Sequence, residues 1–350
     1  MLPFTEKVNG KSNPSNTVYL VGDIGGTNST FAFVEEKKEK ISLLVLLRFQ
    51  SASIIHFTAV VRQVVEYGQK KYHFYPAAAC FAGAGVVSEK QDLGMVTEFP
   101  WNIDAADIKR KTPLNSILII NDFIGVAYGV EAGSAKNISI LNPGKIMPGK
   151  PKAVLGAGTA LGKAILIWNG RRYIPLASEG GHGDAAIQTP PECALAQFIQ
   201  RKYNQERVSW GKLVSGRGLS SIYQFLEANY APTKYSRKIK ESNYDPALIS
   251  AWQQDRACRA AFDLFLRFYA RSAKNLALDI LAYGGVYIAG GIVAKNAAQF
   301  QRKAFIDEFI SHSRMKPVLE QIPIYAITDY NVSLYGAARA LQLYLQGDFP

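Results

Sequence analysis

Apolar residues along this chain fall into short runs and longer periodic stretches. Residues 17–21 (TVYLV), 30–34 (TFAFV) and 41–49 are compact apolar runs, and the charged turn EEKKEK separates the second from the third. Such runs, joined by short turns, predict three strands in an antiparallel meander. The period then changes. Ile54, Ile55, Thr58, Val61, Val64 and Val65 recur at helical spacing, which predicts a helix over 51–67. Runs at 77–82 and 117–120 predict two further strands, with a helix near 104–111 between them. The first 122 residues therefore read βββαβαβ, a mixed sheet carrying helices.

A loop rich in proline, glycine and lysine follows at 143–152 (PGKIMPGKPK). Beyond it AVLGAG, AILIW and RYIPL again form three successive strand runs with glycine at the first turn, a weak repeat of the opening pattern. Helices are expected at 190–203, 218–229 and 257–281, the last with Phe262, Phe265, Leu266, Tyr269, Leu276 and Ile280 along one face. A strand at 284–289 is turned by Gly290-Gly291, and an apolar helix spans 334–345. Residues 1–16 are polar and read as a loose tail.

Composition narrows the class. The 350 residues are 48% hydrophobic and 19% charged, enough apolar material for a sizeable core, and the length suggests two domains or one large one. The net charge of +12 is spread over short clusters that read first as solvated surface, with an attractive field for an anionic substrate and nonspecific nucleic-acid binding as the functional alternative; no zinc-finger spacing or continuous basic helix supports a dedicated nucleic-acid reader. Cys80, Cys193 and Cys258 are far apart in sequence and form no CxxC pair, which argues against a disulfide or zinc framework and for a reducing compartment. No apolar run approaches the ~20 residues of a spanning helix, and no signal-like stretch opens the chain. A soluble, cytoplasmic protein is expected.

Five stretches carry candidate chemistry. In VGDIGGTN (21–28) the glycines let backbone N–H groups approach a ligand, and Thr27 and Asn28 add donors, so the turn can wrap phosphate oxygens or be a plain glycine hairpin. Asp23 at the strand end suits Mg²⁺ held partly through water. LGAGTALG (155–162) repeats that physics. IINDFIG (119–125) ends an apolar strand in Asn121-Asp122; the aspartate can accept a hydroxyl proton or can cap the next helix. In SEGGHGD (178–184), Glu179 and His182 can hydrogen-bond neighbouring hydroxyls of a polyol. In YIAGGIVAKN (287–296) two glycines leave room for a flat ring.

In this order the five stretches resemble the bacterial-type glucokinase family, in the hexokinase branch of the actin-like ATPase superfamily; VSGRGL (214–219) and KNLAL (274–278) match as well, and the resemblance runs from about 17 to 345. It implies an α/β fold of two ribonuclease H-like domains, each a mixed βββαβαβ sheet, around a central cleft whose closure excludes water. The domains expected are 17–122 with 333–350, and 123–332. The resemblance implies Asp122 as general base on the 6-hydroxyl of glucose. Asn121, Glu179, His182, Thr97 and Glu98 would meet the sugar. Asp23, Gly25, Gly26, Thr27, Asn28, Gly156, Gly158, Thr159, Gly290 and Gly291 would hold ATP, with Asp23 carrying Mg²⁺. No specific nucleic acid or membrane partner is implied, and a homodimer stays open. The cysteine-rich zinc motif of the ROK family and a helix-turn-helix are both absent.

Four positions depart from the pattern. Glu98 follows Thr97 where asparagine is usual, Gly211-Lys212 replaces a Glu-Arg pair, Ala160 replaces a glycine, and Thr30 stands where an arginine is common. They leave Asp122 intact and bear on the acceptor: another hexose, an amino sugar or a sugar phosphate, or a sugar-binding regulator without turnover, are the alternatives to glucose.

Overall fold

The computed structural model describes residues 2–10, 17–37, 40–96, 99–132 and 138–350. The chain divides into two compact units, Met1–Lys136 with Asn331–Pro350, and Asn137–Tyr330. The first break lies at 136/137, later than the expected 122/123, because the helix that begins at Asp122 packs with the first unit.

In chain order the first unit contains β1 (Thr5–Val8), β2 (Val18–Ile24), β3 (Asn28–Lys37), β4 (Lys40–Gln50), α1 (Phe57–Tyr72), β5 (Ala78–Gly83), β6 (Gly85–Val87), β7 (Leu93–Val96), β8 (Asn102–Asp104), α2 (Ala105–Lys111), β9 (Ser116–Asn121) and α3 (Asp122–Glu131). The second contains β10 (Ile138–Asn142), β11 (Lys152–Ala157), β12 (Leu161–Trp168), β13 (Tyr173–Ser178), α4 (Pro190–Tyr203), α5 (Trp210–Leu213), α6 (Gly216–Leu226), α7 (Lys234–Glu241), α8 (Pro246–Ala251), α9 (Arg256–Ile280), β14 (Val286–Ala289), α10 (Gly291–Asn296), α11 (Lys303–Ile310), α12 (Lys316–Gln321) and β15 (Ile324–Ile327). The chain then returns to the first unit as α13 (Val332–Leu345).

The first sheet runs β1-β4-β3-β2-β5-β9: the meander is antiparallel, and β5 and β9 join it in parallel. Alternation along each strand sends Phe31 and Phe33 to the α1 side, with Phe57, Val61 and Val64, while Ala32 and Val34 face Leu334, Ala337 and Leu341 of α13. Each of the phenylalanine, valine and leucine side chains contributes roughly 1.5–3 kcal/mol on full burial. The segment expected to be a loose tail holds β1, paired antiparallel with β4.

The second sheet runs β10-β15-β14-β11-β12-β13. Its meander β11-β12-β13 is antiparallel, and β14 and β15 follow in parallel, so the strand plan of the first unit recurs and the expected repeat is real. α9 buries Phe262, Phe265, Leu266 and Tyr269 against this sheet. It starts at Asp255, whose Oδ1 accepts from the Cys258 N–H at 3.0 Å, and stops at Leu281 in the left-handed region (φ 48°).

α1 begins later than expected. Ser51–Ser53 forms a separate short turn, because the Ser51 N–H and hydroxyl are engaged by the β2–β3 turn. The helix also continues through Gly68, where a Cβ would lie 2.2 Å from the Phe33 ring; glycine there admits the ring rather than ending the helix. The small sheet β6-β7-β8 was not anticipated, its strands being three or four residues long.

Candidate active site

In the first unit the strand ends form one edge. Register aligns Ile24 with Gly83 and Gly83 with Asn121, so β2, β5 and β9 end side by side. Two strand spacings, about 10 Å, separate the β2 end from the β9 end. The β2–β3 turn carries Gly25, Gly26, Thr27 and Asn28. It is fastened from beside: the Ser51 hydroxyl donates to Gly25 O at 2.6 Å, the Ser51 N–H donates to Thr27 O at 3.0 Å, and Ser29 Oγ lies 2.9 Å from Ser51 Oγ.

Asp23, one residue before that end, is half-buried and accepts from the Ser333 hydroxyl of α13 at 3.1 Å. Burial pushes its carboxyl up to about 6, against the opposing pull of the Ser333 hydrogen bond and of Arg48. Arg48 pairs in register with Thr30 and donates from Nε to Thr30 Oγ1 at 3.4 Å.

At the β9 end the two polar residues divide their work. Asn121 is the cap of α3: its Oδ1 accepts from the Phe123 and Ile124 N–H groups at 2.9 and 3.4 Å, and its Nδ2 donates to Gly85 O at 3.0 Å. Asp122 is the first helical residue, its Oδ1 also accepting from the Phe123 N–H at 2.9 Å. The sequence leaves Asp122 open between accepting a hydroxyl proton and capping the helix; the N-cap is Asn121. Thr97 and Glu98 lie outside the described residues.

In the second unit three loops meet at the ends of β11, β12 and β14. Gly156 pairs with Ala289, and Gly290 (φ 97°) follows; a Cβ on Gly290 would lie 2.8 Å from Ala157 O, so both conformation and space require glycine. Open space surrounds the Cβ positions of Gly158 and Gly291. Gly158 O accepts from the Gly216 N–H at 2.9 Å, tying the loop of Gly158 and Thr159 to the start of α6. Ala160 is not among the residues with positive φ, so its methyl strains nothing there.

The sugar-loop candidates sit against the start of β12. A Cβ on Gly181 would lie 1.8 Å from Leu161 O, which fixes glycine at that place. The loop is held by the Gly211 N–H on Gly181 O at 2.8 Å and the Trp210 N–H on Gly183 O at 2.9 Å. Its two polar side chains project into solvent, with His182 Nε2 3.7 Å from Glu179 Oε2. Gly211 therefore serves this loop through its backbone. Lys212 turns aside, its Nζ 4.3 Å from the Tyr203 ring centre.

Sequence reasoning missed Lys163. This β12 residue is 6% exposed, pairs with Ser178 and lies along Gly180, whose Cβ position is 3.0 Å from Lys163 Cδ. Its Nζ sits 5.6 Å over the Trp210 ring. Burial pushes the amine down to about 8, with Asp279 pulling the other way. A charged residue at an inward strand position was the available signal. Ser333, Ser51 and Arg48 gave none, since each acts on a partner distant in sequence.

Comparison with known proteins places this geometry. A family model described as Glucokinase matches residues 20–344. The chain belongs to the glucokinase family. Its glucokinase relatives include those of Nostoc punctiforme, 33% identical over 347 residues with 92% of this chain and 98% of that protein covered, and Photorhabdus laumondii, 31% identical over 336 residues with 93% and 98% covered. Among solved structures, glucokinase from Balamuthia mandrillaris in complex with glucose superposes with a TM-score of 0.81 at 24% identity, covering 95% of each chain. A ROK family glucokinase from Streptomyces griseus in complex with glucose and AMPPNP gives a TM-score of 0.64 at 18% identity, covering 93% of this chain and 99% of that one. The glucokinase fold here is the expected α/β, actin-like ATPase fold. Among the described residues no group of three or more His, Cys, Asp or Glu is placed to hold a metal, and no helix is long and apolar enough to cross a membrane.

Proposed function

We propose that this protein phosphorylates D-glucose at its 6-hydroxyl with ATP, giving glucose 6-phosphate and ADP, as a cytoplasmic enzyme. The observation that supports the reading is the shared edge of β2, β5 and β9: the strand end leading into Asp122 lies about 10 Å, two strand spacings, from a glycine-rich turn whose N–H groups suit phosphate oxygens. Family membership supplies the reaction class.

In this reading Asp122 accepts the proton of the sugar O6. The oxygen attacks the γ-phosphorus, and the bond to the β-phosphate oxygen breaks with its electron pair leaving on ADP. Asn121, Glu179 and His182 orient the remaining hydroxyls; Thr97 and Glu98 are assigned to the same task. Gly25, Gly26, Thr27 and Asn28, and separately Gly156, Gly158 and Thr159, offer N–H and hydroxyl donors to phosphate oxygens. Gly290 and Gly291 would lie near the nucleoside, with open space at the Cβ position of Gly291. Asp23 suits Mg²⁺, since a single hard carboxylate oxygen at a strand end matches an ion that keeps most of its water. When bound, that ion would neutralise charge on the β- and γ-phosphates.

The test is ADP release from ATP and Mg²⁺ across glucose, mannose, fructose, glucosamine, N-acetylglucosamine and glucose 1-phosphate. Glucose should give the highest kcat/KM. A higher value for another sugar would move the specificity, and absence of turnover with every sugar would refute the enzyme reading.

A further inference from the structure

The second unit holds a cavity of about 580 Å³ that the proposed reaction does not use. It lies at the C-terminal end of α6, between that helix and the starts of α7 and α9. α6 begins at the Gly158 loop and is about 16 Å long, so the cavity is well removed from the loop glycines.

Two helix N-termini converge on its wall, and their caps are joined. Thr233 caps α7, accepting from the Tyr235 and Ser236 N–H groups at 3.2 and 3.1 Å, and its hydroxyl donates to Asp255 Oδ2 at 2.7 Å. Asp255 in turn caps α9 and is 4% exposed. Both positive helix ends therefore face one space. Lys234 and Arg256, the first residues of the two helices, also line it, and neither has an ion pair among the described residues.

A second, independent feature points to an occupant. Tyr223 lines the same cavity, is fully buried, and its hydroxyl has no hydrogen-bond partner among the described residues. A buried hydroxyl left unpaired costs about 1–3 kcal/mol. The two carboxylates nearby are already engaged. Asp255 serves the two caps, while Glu227 accepts from the Tyr244 hydroxyl at 3.0 Å and pairs with Lys240 at 3.3 Å. What remains unsatisfied is a set of donors and positive charge, flanked by the rings of Tyr230 and Tyr235. The volume falls within the range of small-molecule sites.

We propose that this cavity binds a small phosphomonoester, its phosphate at the paired starts of α7 and α9 between Lys234 and Arg256, and its body along the tyrosines toward the Tyr223 hydroxyl. The proposal stands whether or not glucose is the acceptor, because none of these residues belongs to the catalytic set.

Isothermal titration of the full chain tests it, with glucose 6-phosphate, inorganic phosphate and citrate as probes. Wild type, Tyr223→Phe and Lys234→Gln/Arg256→Gln are compared, with thermal unfolding checked for each. The expected result is millimolar or tighter binding of glucose 6-phosphate that weakens about tenfold or more in the double variant and several-fold in Tyr223→Phe, with kcat and KM for glucose and ATP unchanged. Tyr223→Phe keeps the ring, so it separates loss of the donor from loss of the fold. Binding of inorganic phosphate with the same variant dependence assigns recognition to the phosphate alone. Binding that ignores both substitutions belongs to the catalytic site and overturns the proposal, as does binding of citrate only or of no probe.

Discussion

Two ionisable residues beside the candidate site are held against their preferred charge, with opposite signs. Asp23 carries a carboxyl raised from 3.8 to about 6 by burial. The folded chain therefore binds more protons than the unfolded chain between those values, and ionised Asp23 costs stability above about pH 6. Asp23→Asn should raise the stability of the metal-free protein by about 1–3 kcal/mol at pH 7.5, with the gain shrinking as pH falls toward 4, while lowering turnover. Urea unfolding across that range reads the difference, and a gain that persists unchanged at low pH would contradict the account. Lys163 is the mirror case, its amine lowered from 10.5 to about 8 by burial. Its charged form is unfavourable in the fold, so stability rises with pH from about 8 to about 10.5. Lys163→Met should stabilise by about 1–3 kcal/mol at pH 7 and by progressively less toward pH 10. These tensions sit beside stretches that the sequence marks by glycine content; a charged residue at an inward strand position signalled Lys163, but the size of each effect depends on what covers the side chain.

At the scale of elements, helix crossings set where Asp122 can be. α3 and α13 approach so closely that a Cβ on Gly336 would lie 1.7 Å from Gly125 O and 2.5 Å from Gly129 N. Gly336→Ala should destabilise by roughly 1–3 kcal/mol or more and lower kcat at temperatures where the protein is still folded, since the displaced helix begins at Asp122. Wild-type kcat and an unchanged urea midpoint would contradict it. In the second unit a buried ion network joins α9, α4 and α11. Arg271 is 2% exposed, binds Glu192 through two bonds of 2.9 and 3.0 Å, reaches Glu308 at 2.8 Å, and also donates to Ala186 O. Its guanidinium is pushed up by the two carboxylates, although burial opposes them. Arg271→Leu strands Glu192 and leaves Glu308 with Lys274 alone, at 3.6 Å, and should cost about 3–5 kcal/mol by urea unfolding, whereas replacing Arg271 and Glu192 together with apolar residues should recover part of that loss. Legibility at this scale followed local rules. The long α9 was plain from its periodic aromatic residues. The start of α1 was misplaced because Ser51 answers to a turn more than twenty residues earlier, and the β6-β7-β8 sheet was missed because strands so short carry too little pattern.

Over the whole molecule the two units share one strand plan, an antiparallel meander followed by two parallel strands. The meanders of both halves were readable from alternating apolar runs, and the glycine turns closing them marked both phosphate candidates. The division of the chain was less readable. Contacts made by α3 and α13 decide it, and these rest on glycines whose sequence context says only that a helix is weakened. Of the candidate site, the described motif residues lie at strand ends and in the turns that follow them, while the neighbours that hold them (Ser51, Arg48, Ser333 and Lys163) come from elsewhere in the chain.

Glucose phosphorylation with Asp122 as the base is the central claim, and one paired measurement tests it most directly. Steady-state ADP release with glucose, ATP and Mg²⁺ is compared between the wild type and Asp122→Ala, alongside glucose binding to both by calorimetry. The account predicts loss of about 10²–10⁴-fold or more in kcat for the variant, with glucose affinity largely kept. Near-normal turnover in Asp122→Ala would contradict it.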